Sequence, residues 1–149
     1  MKKVIRLVAV SMVLILAAIG FAGCGSSQTA SSSKMFSNLQ AYLEYPNTQK
    51  SLENAMSSLP STLEFDCYAE GDTLVYEYKY TSLIPESALE LTKKAIEDSA
   101  SSLKSAQKIV FTEILEYVDV ENPIVCYRYL NSDGALIAEI KFDKSVLDE

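Results

Sequence analysis

The feature that most constrains the fold is a pair of alternating segments, residues 62–70 and 73–81, joined only by Gly71-Asp72. A two-residue connection with Gly first is typical of a type II′ turn between antiparallel strands. Such a turn pairs Glu70 with Thr73, and this pair fixes every other partner along both strands. The sequence therefore predicts a β-hairpin of defined register.

This register gives the hairpin two unlike faces. The apolar face, which we expect to lie in the core, consists of Leu63, Phe65, Cys67, Ala69, Leu74, Tyr76, Tyr78 and Tyr80. On the other face Asp66 lies opposite Glu77, and two like charges in this position destabilise a sheet unless something neutralises them. A solvated face with Lys79 nearby is the simpler interpretation. A weak site for a divalent cation or a cationic ligand is the alternative.

A second hairpin joins residues 123–130 to 135–142 through Asn131-Ser132-Asp133-Gly134. Asn in the first position and Gly in the last suit a type I turn closed by a left-handed Gly, which pairs Asn131 with Ala135. We favour this register, whose inward residues are Ile124, Cys126, Leu130, Leu136, Ile140 and Phe142. A tighter Asp-Gly turn would instead pair Arg128 with Glu139 and turn inward Val125, Tyr127 and Tyr129.

Amphipathic helices are predicted before each hairpin. Two short ones precede the first, over residues 35–44 and from Pro46 to just before Pro60. Before the second hairpin, apolar residues recur at helical spacing: Leu89, Ile96, Ala100, Leu103, Val110, Ile114 and Tyr117. One long helix over residues 86–117 fits this stripe. Two helices with a bend are the alternative, because residues 99–105 are Ser-rich and weak in helix propensity.

These elements predict an α+β fold in which two β-hairpins form a four-stranded antiparallel sheet packed on one face by amphipathic helices. The order is helix, helix, hairpin, then helix, hairpin. Residues 35–149 are about 115 residues, the size of one ordinary domain.

The first 23 residues have the parts of a secretory signal: a basic start, an apolar stretch over residues 7–22 and small residues before Cys24. An uncleaved membrane-spanning helix is less favoured, because Ser11 and Gly20 interrupt an apolar run shorter than the roughly 20 residues that spanning requires.

The residues Phe21-Ala22-Gly23-Cys24 resemble the lipobox of bacterial lipoproteins, although Phe21 stands where an aliphatic residue is usual. The resemblance implies that Cys24 carries a diacylglycerol through a thioether and becomes the first residue of the mature protein. Two acyl chains are sufficient for stable anchoring. Residues 24–34 then form a lipidated cysteine with a flexible Ser-rich linker, whose mean reach is roughly 17–19 Å.

The charge of the chain disfavours some partners. It has 13 basic and 20 acidic residues, and cleavage of the signal removes three basic ones, leaving 10 against 20. So acidic a protein is repelled by nucleic acid and by anionic lipid head groups. We therefore expect no nucleic-acid partner.

The residue types exclude several chemistries. The chain has no His, so Ser-His and Cys-His catalytic arrangements and His-containing metal sites are absent. No Gly-rich phosphate loop occurs, and we predict no catalytic residues, no metal and no cofactor. Cys67 and Cys126 both face the core in the favoured register and could form a disulfide if their strands are neighbours. The alternative is two buried thiols.

The runs at residues 69–78 and 129–134 resemble the two hairpin signatures of a family, the domain of unknown function 4854. Its members are small lipoproteins or secreted proteins of Gram-positive bacteria. The resemblance extends over roughly residues 35–142 and implies no activity and no functional residues. The alternation of helices and hairpins also resembles small β-lactamase-inhibitor-like and peptidase-propeptide-like domains at the level of fold.

We therefore expect a non-enzymatic lipoprotein held by Cys24 on the outer face of the cell membrane, where it binds an envelope protein or peptide. One alternative is a small carboxylate-based envelope enzyme or a receptor for a ligand or cation. Another is an inhibitor-like module.

Overall fold

A computed structural model describes residues 34–148, so the predicted signal and Cys24 lie outside the described residues, as does all but the end of the predicted linker. In chain order the elements are α1 (Leu39–Leu43), α2 (Pro46–Ser57), β1 (Leu63–Glu70), β2 (Thr73–Tyr80), α3 (Glu86–Tyr117), β3 (Ile124–Leu130), β4 (Leu136–Asp143) and a C-terminal 3-10 helix (Lys144–Leu147). The fold is α+β, as predicted.

The four strands form one sheet in the order β1-β2-β3-β4. Both hairpins are antiparallel, but the central strands β2 and β3 run parallel, so the prediction of a purely antiparallel sheet is wrong. The connection between the hairpins explains the difference. A single helix, α3, carries the chain from the end of β2 back to its beginning, where the Ile124 N–H donates to the Asp72 carbonyl at 2.9 Å. Parallel neighbours require such a crossover.

The helix α3 has 32 residues without interruption, which makes it about 48 Å long. The Ser-rich stretch in its middle is helical because Leu103 within it and Gln107 just after it are buried on the side that faces the sheet. Tertiary packing thus overrides weak local propensity. Of the two alternatives for this region, the single helix is the one observed.

The register of the first hairpin is confirmed at all eight pairs, from Leu63 with Tyr80 to Glu70 with Thr73. Gly71 has a φ of 60°, while no non-Gly residue among those described has a positive φ. This combination is that of a type II′ turn. The local turn chemistry therefore fixed the faces of β1 and β2 correctly.

The second hairpin combines the two alternatives. Its turn is the favoured one, since the Asn131 N–H donates to the Ala135 carbonyl at 2.8 Å and Gly134 has a φ of 86°. A bulge follows, because Leu130 pairs with Leu136 while Tyr129 pairs with Ala138, which leaves Ile137 as an extra residue.

The bulge reverses the faces predicted for the rest of the hairpin. Arg128 pairs with Glu139, and the residues that face the core are Val125, Tyr127 and Tyr129, not Ile124 and Cys126. The favoured assignment of inward residues in β3 is therefore wrong, and the alternative one is observed.

The helices pack on one face of the sheet, here called the core face. The buried cluster between the two layers contains Leu39, Tyr42, Leu43, Leu74, Tyr76, Tyr78, Tyr80, Ile96, Leu103, Val110, Phe111, Ile114, Val125, Tyr127, Tyr129, Ala138, Ile140 and Phe142. Leu52 of α2 packs against the same cluster. The predicted packing of helices on one face of the sheet is thus observed.

The first helix begins later than the predicted residue 35, because the chain before it pairs with the segment after α3. The Phe36 N–H donates to the Tyr117 carbonyl at 2.9 Å, and the Asp119 N–H donates to the Phe36 carbonyl at 2.8 Å. Asn38 then caps α1 by accepting from the Ala41 N–H. Residues 34–36 are therefore held beside the end of α3.

Candidate functional site: the open face of the sheet

The opposite side of the sheet, here called the open face, is formed by the alternate residues of each strand. They are Glu64, Asp66, Tyr68 and Glu70 of β1; Thr73, Val75, Glu77 and Lys79 of β2; Ile124, Cys126, Arg128 and Leu130 of β3; and Leu136, Glu139, Lys141 and Asp143 of β4. Six of these side chains are acidic and three are basic. The face is therefore negative and mostly polar, unlike the aromatic core face.

Arg128 lies at the centre of the open face, with Glu77 of β2 on one side and Glu139 of β4 on the other. Its Nη1 donates to the Tyr68 Oη at 2.7 Å, and its Nε donates to the Glu139 Oε2 at 3.3 Å. The two Nη atoms also reach the two carboxylate oxygens of Glu70 at 3.3 and 3.4 Å. Arg128 thus connects β1, β3 and β4 through one guanidinium.

Two further contacts complete this cluster. The Tyr68 Oη donates to the Glu77 Oε2 at 2.8 Å, and that oxygen lies 3.7 Å from the Arg128 Nη1. The Lys141 Nζ lies 2.6 Å from the Glu139 Oε1. We call the six residues Tyr68, Glu70, Glu77, Arg128, Glu139 and Lys141 the Arg128 cluster.

The Arg128 cluster explains how the sheet tolerates Asp66 opposite Glu77, a pairing that the structure confirms. Glu77 is neutralised from the β3 side by Arg128. Asp66 turns toward its own strand, where its Oδ1 accepts from the Cys67 N–H at 2.8 Å. The opposed carboxylates therefore do not converge on a shared site.

The electrostatics of the cluster follow from these contacts. The hydrogen bond from Lys141, with another from Arg128, holds the pKa of Glu139 below its usual value. The hydrogen bond to Glu70 raises the pKa of Arg128 above its already high value. Desolvation and the hydrogen bond to Glu77 raise the pKa of Tyr68 to about 12. At neutral pH Arg128 and Glu139 therefore carry full charges beside the neutral phenol of Tyr68.

Two residues of the open face are fully buried despite their position. Val75 and Cys126 are both 0% exposed, and each is flanked on this face by members of the Arg128 cluster. The aliphatic parts of these long side chains cover them, as long charged side chains commonly do. The cluster thus shields a small apolar layer and presents its charged ends to solvent.

On the core face, one buried and one partly buried polar contact join helices to their neighbours. The Gln107 Nε2 donates to the Tyr127 Oη at 2.6 Å. The Tyr42 Oη donates to the Glu113 Oε1 at 3.1 Å, and desolvation raises the pKa of Glu113. These contacts hold α1, α3 and the sheet together, and among the described residues the buried Gln107 Oε1 has no hydrogen-bond partner.

A third polar contact ties the two connections at one end of the sheet. Asn131 is buried, its Oδ1 accepts from the Ile84 N–H at 2.8 Å, and its Nδ2 donates to the Ile84 carbonyl at 3.0 Å. The side-chain amide thus hydrogen-bonds to both backbone groups of Ile84, as the backbone of a neighbouring strand would. The sequence indicated only a turn at this position.

The two cysteines named as a disulfide pair lie on opposite faces, Cys67 on the core face and Cys126 on the open face, with β2 between their strands. Both are free thiols in the structure. The pairing depended on a register of β3 that the bulge excludes. Burial raises the pKa of Cys67 to about 12 and that of Cys126 to about 11, so both are protonated at neutral pH.

The structure bears on the remaining expectations only within residues 34–148. There, no group of three or more His, Cys, Asp and Glu side chains is arranged to hold a metal ion. No helix in that range is long and apolar enough to cross a bilayer. The predicted lipidation site, Cys24, lies outside it.

Sequence reasoning did not single out Arg128, although the less favoured register contained its pairing with Glu139. The signal available was one Arg flanked by tyrosines in a strand. Its meaning depends on which strands become neighbours, and a single hairpin does not contain that information.

The comparisons with known proteins give one match. The family model for the domain of unknown function DUF4854 matches residues 39–142, from the first residue of α1 into β4. No curated protein and no solved structure matches the chain.

Proposed function

The chain belongs to the family of the domain of unknown function DUF4854, and we propose that it is a membrane-anchored, non-enzymatic binding domain of the cell envelope. In this proposal Cys24 carries the lipid anchor on the outer face of the membrane. The open face of the sheet is the surface that contacts a protein or peptide partner.

The observation that carries the proposal is the contrast between the two sides of one sheet. The helices supply buried side chains to the core face, whereas the open face retains exposed residues such as Glu64, Asp66 and Leu136. The Arg128 cluster holds six polar side chains of this face together through hydrogen bonds and ion pairs. A rigid, patterned polar surface suits recognition, because little side-chain entropy is lost when a partner binds.

The non-enzymatic part of the proposal is supported by the chemistry of the chain. It contains no His. On the open face, Asp66, Glu70, Glu77 and Glu139 are occupied by Arg128, Lys141, Tyr68 or a backbone group in the contacts described above. A catalytic acid or base requires a perturbed group with access to a substrate, and Glu113, whose pKa is raised, is hydrogen-bonded to Tyr42.

Site-specific photocrosslinking in intact cells tests the contact surface. A photoreactive amino acid at Leu136 reports on the open face, and one at Ile109 of α3 is a matched control, because the two side chains are 58% and 55% exposed. We expect a discrete crosslinked partner from position 136 and none from position 109. Equal products from both positions, or none from position 136, would contradict the assignment of the surface.

The anchor has its own test. Replacement Cys24→Ala should abolish incorporation of labelled fatty acid and release the protein from the membrane fraction. Replacement Cys126→Ala is the control, and it should leave labelling and membrane association unchanged. Persistent membrane association of the Cys24→Ala protein would contradict lipid anchoring at this residue.

A further inference from the structure

Strand β1 is an edge strand, paired with β2 on one side only. The Thr81 N–H donates to the Thr62 carbonyl at 3.0 Å, so the even-numbered residues of β1 hydrogen-bond to β2 and the odd-numbered ones point away. The backbone groups of Leu63, Phe65, Cys67 and Ala69 therefore form the free edge of the sheet. Such an edge is a template for pairing with another strand.

The outward N–H groups differ in their state. That of Leu63 donates to the Pro60 carbonyl at 3.0 Å, and that of Cys67 donates to the Asp66 side chain. Those of Phe65 and Ala69 have no partner within residues 34–148. The Leu63 N–H is thus occupied by the backbone, and the Cys67 N–H is occupied by a side chain that can rotate away. The N–H groups of Phe65 and Ala69 are open to a new partner.

The charges beside this edge decide which strand can pair with it. On the open-face side β1 presents Glu64, Asp66 and Glu70, all three exposed. A second copy of β1 in antiparallel pairing would bring acidic residues against acidic ones, which is destabilising. Charge repulsion therefore disfavours pairing between two copies of β1, whereas a basic strand meets no such repulsion. The acidic residues thus discriminate between partner strands by their charge.

We propose that the free edge of β1 binds an extended basic segment of the partner by strand addition. Basic side chains at alternate positions contact Glu64, Asp66 and Glu70, while the backbone pairs with Phe65 and Ala69. As the strand adds, the Asp66 carboxylate leaves the Cys67 N–H for an incoming cation, and the freed N–H pairs with the added strand. This inference rests on the proposed function and names the chemistry of its partner.

The test uses the full-length chain in non-ionic detergent with two synthetic peptides, one of four Lys-Val repeats and one of four Glu-Val repeats. Binding affinity and amide hydrogen exchange at Phe65 and Ala69 are measured together. We expect the Lys-Val peptide to bind, to slow exchange at both amides about tenfold or more, and to lose affinity as salt is added. The Glu-Val peptide should do none of these.

Charge-reversal variants locate the binding. The double variant Glu64→Lys with Asp66→Lys should weaken binding of the Lys-Val peptide by about tenfold or more. The control, Glu90→Lys with Glu97→Lys, makes the same change of net charge on exposed positions of α3. It should leave the affinity within about twofold.

Several outcomes would overturn strand addition: binding of both peptides, binding of the Lys-Val peptide without protection of Phe65 and Ala69, or equal weakening by both double variants. A partner crosslinked through position 136 together with an unprotected edge would leave the proposed function standing and remove this inference. A protected edge without a crosslinked partner would contradict the open-face contact of the proposed function and leave strand addition at β1 standing.

Discussion

The two faces of the sheet are made by the same four strands, yet they are stabilised in different ways. On the core face the rings of Tyr76 and Tyr127 stack with centroids 5.2 Å apart, and those of Tyr78 and Tyr129 with centroids 5.3 Å apart. On the open face Arg128, the next residue after Tyr127, holds carboxylates from three strands. Neighbours in sequence thus belong to two different environments.

This difference in stabilisation determines how each face responds to pH and salt. Burial keeps the core tyrosines neutral by raising their pKa values well above the usual range, so these stacked rings carry no charge that salt or a change of pH near neutrality can alter. The Arg128 cluster is only partly buried and consists of ion pairs, which salt screens and acid protonates. Perturbations should therefore separate the two faces.

The largest effect should come from the core face. Phe111 is fully buried against the sheet, so replacement Phe111→Ala removes a large apolar contact and leaves a cavity. We expect a loss of about 3–5 kcal/mol in the free energy of unfolding, measured by urea denaturation. The exposed Ile109 provides the control, with a change within about 0.5 kcal/mol for Ile109→Ala. Similar losses for both would mean that α3 does not pack as described.

The next effect should come from the buried amide of Asn131, which ties together two connections at one end of the sheet. Replacement Asn131→Ala removes both hydrogen bonds to Ile84 and leaves its partly buried N–H and carbonyl without these partners. We expect a loss of roughly 2–3 kcal/mol. The exposed Asn122 is the matched control, and Asn122→Ala should change stability by less than about 0.5 kcal/mol. A loss for Asn131→Ala no greater than for Asn122→Ala would remove its role as a strand substitute.

A smaller effect should follow on the open face. Replacement Arg128→Met leaves Glu70, Glu77 and Glu139 without their central cation, and we expect a loss of about 1–3 kcal/mol that diminishes at high salt. The exposed Lys94 pairs with Asp98 at 3.2 Å and gives the comparison. Lys94→Met should cost less than about 0.5 kcal/mol. A loss for Arg128→Met that does not change with salt would indicate packing, not charge.

A carboxylate on each face should contribute to folding stability with opposite sign as the pH changes. The pKa of Glu139 is lowered, so its stabilisation is present above the unfolded value near 4.5 and is lost as pH falls through the folded value. The pKa of Glu113 is raised, so its ionised form opposes folding at neutral pH and this cost disappears in acid.

At pH 7 we therefore expect Glu139→Gln to destabilise and Glu113→Gln to stabilise the fold, each by about 1 kcal/mol or less. Thermal unfolding at pH 7 and near pH 3 measures both, and the two differences from the wild-type protein should shrink at the lower pH. The same sign for both variants at pH 7 would contradict this assignment.

The smallest expected effect is none. Because Cys67 and Cys126 are free and on opposite faces, adding dithiothreitol should leave the unfolding temperature unchanged. Thiol titration of the denatured Cys24→Ser protein should find two reactive groups. A fall in stability on reduction, or fewer than two thiols, would restore the disulfide.

How far the sequence predicted this molecule depended on the range of the interactions involved. The Gly71-Asp72 turn is local, and it fixed the first hairpin completely. The turn from Asn131 to Gly134 is also local and was predicted, but the bulge that buries Ile137 in the core was not. One inserted residue was enough to exchange the faces of β3.

The direction of β3 could not be read from either hairpin. It depends on whether α3 is continuous through its Ser-rich middle, and that depends on the burial of Leu103 and Gln107 against a sheet not yet assembled. The Arg128 cluster was unpredicted for the same reason, since its members come from all four strands. Turn residues close in sequence determined the turn of each hairpin, whereas the packing of the hairpins and α3 together determined the candidate site.

The pairing of Phe36 with the segment after α3 determines where mechanical load enters the molecule. A pull on the chain before Lys34 is resisted first by the two backbone hydrogen bonds that Phe36 makes with Tyr117 and Asp119. The force then passes into the end of a helix about 48 Å long, not into a hairpin. Force applied at the N-terminal end of the domain is thus resisted without first separating the strands that carry the open face.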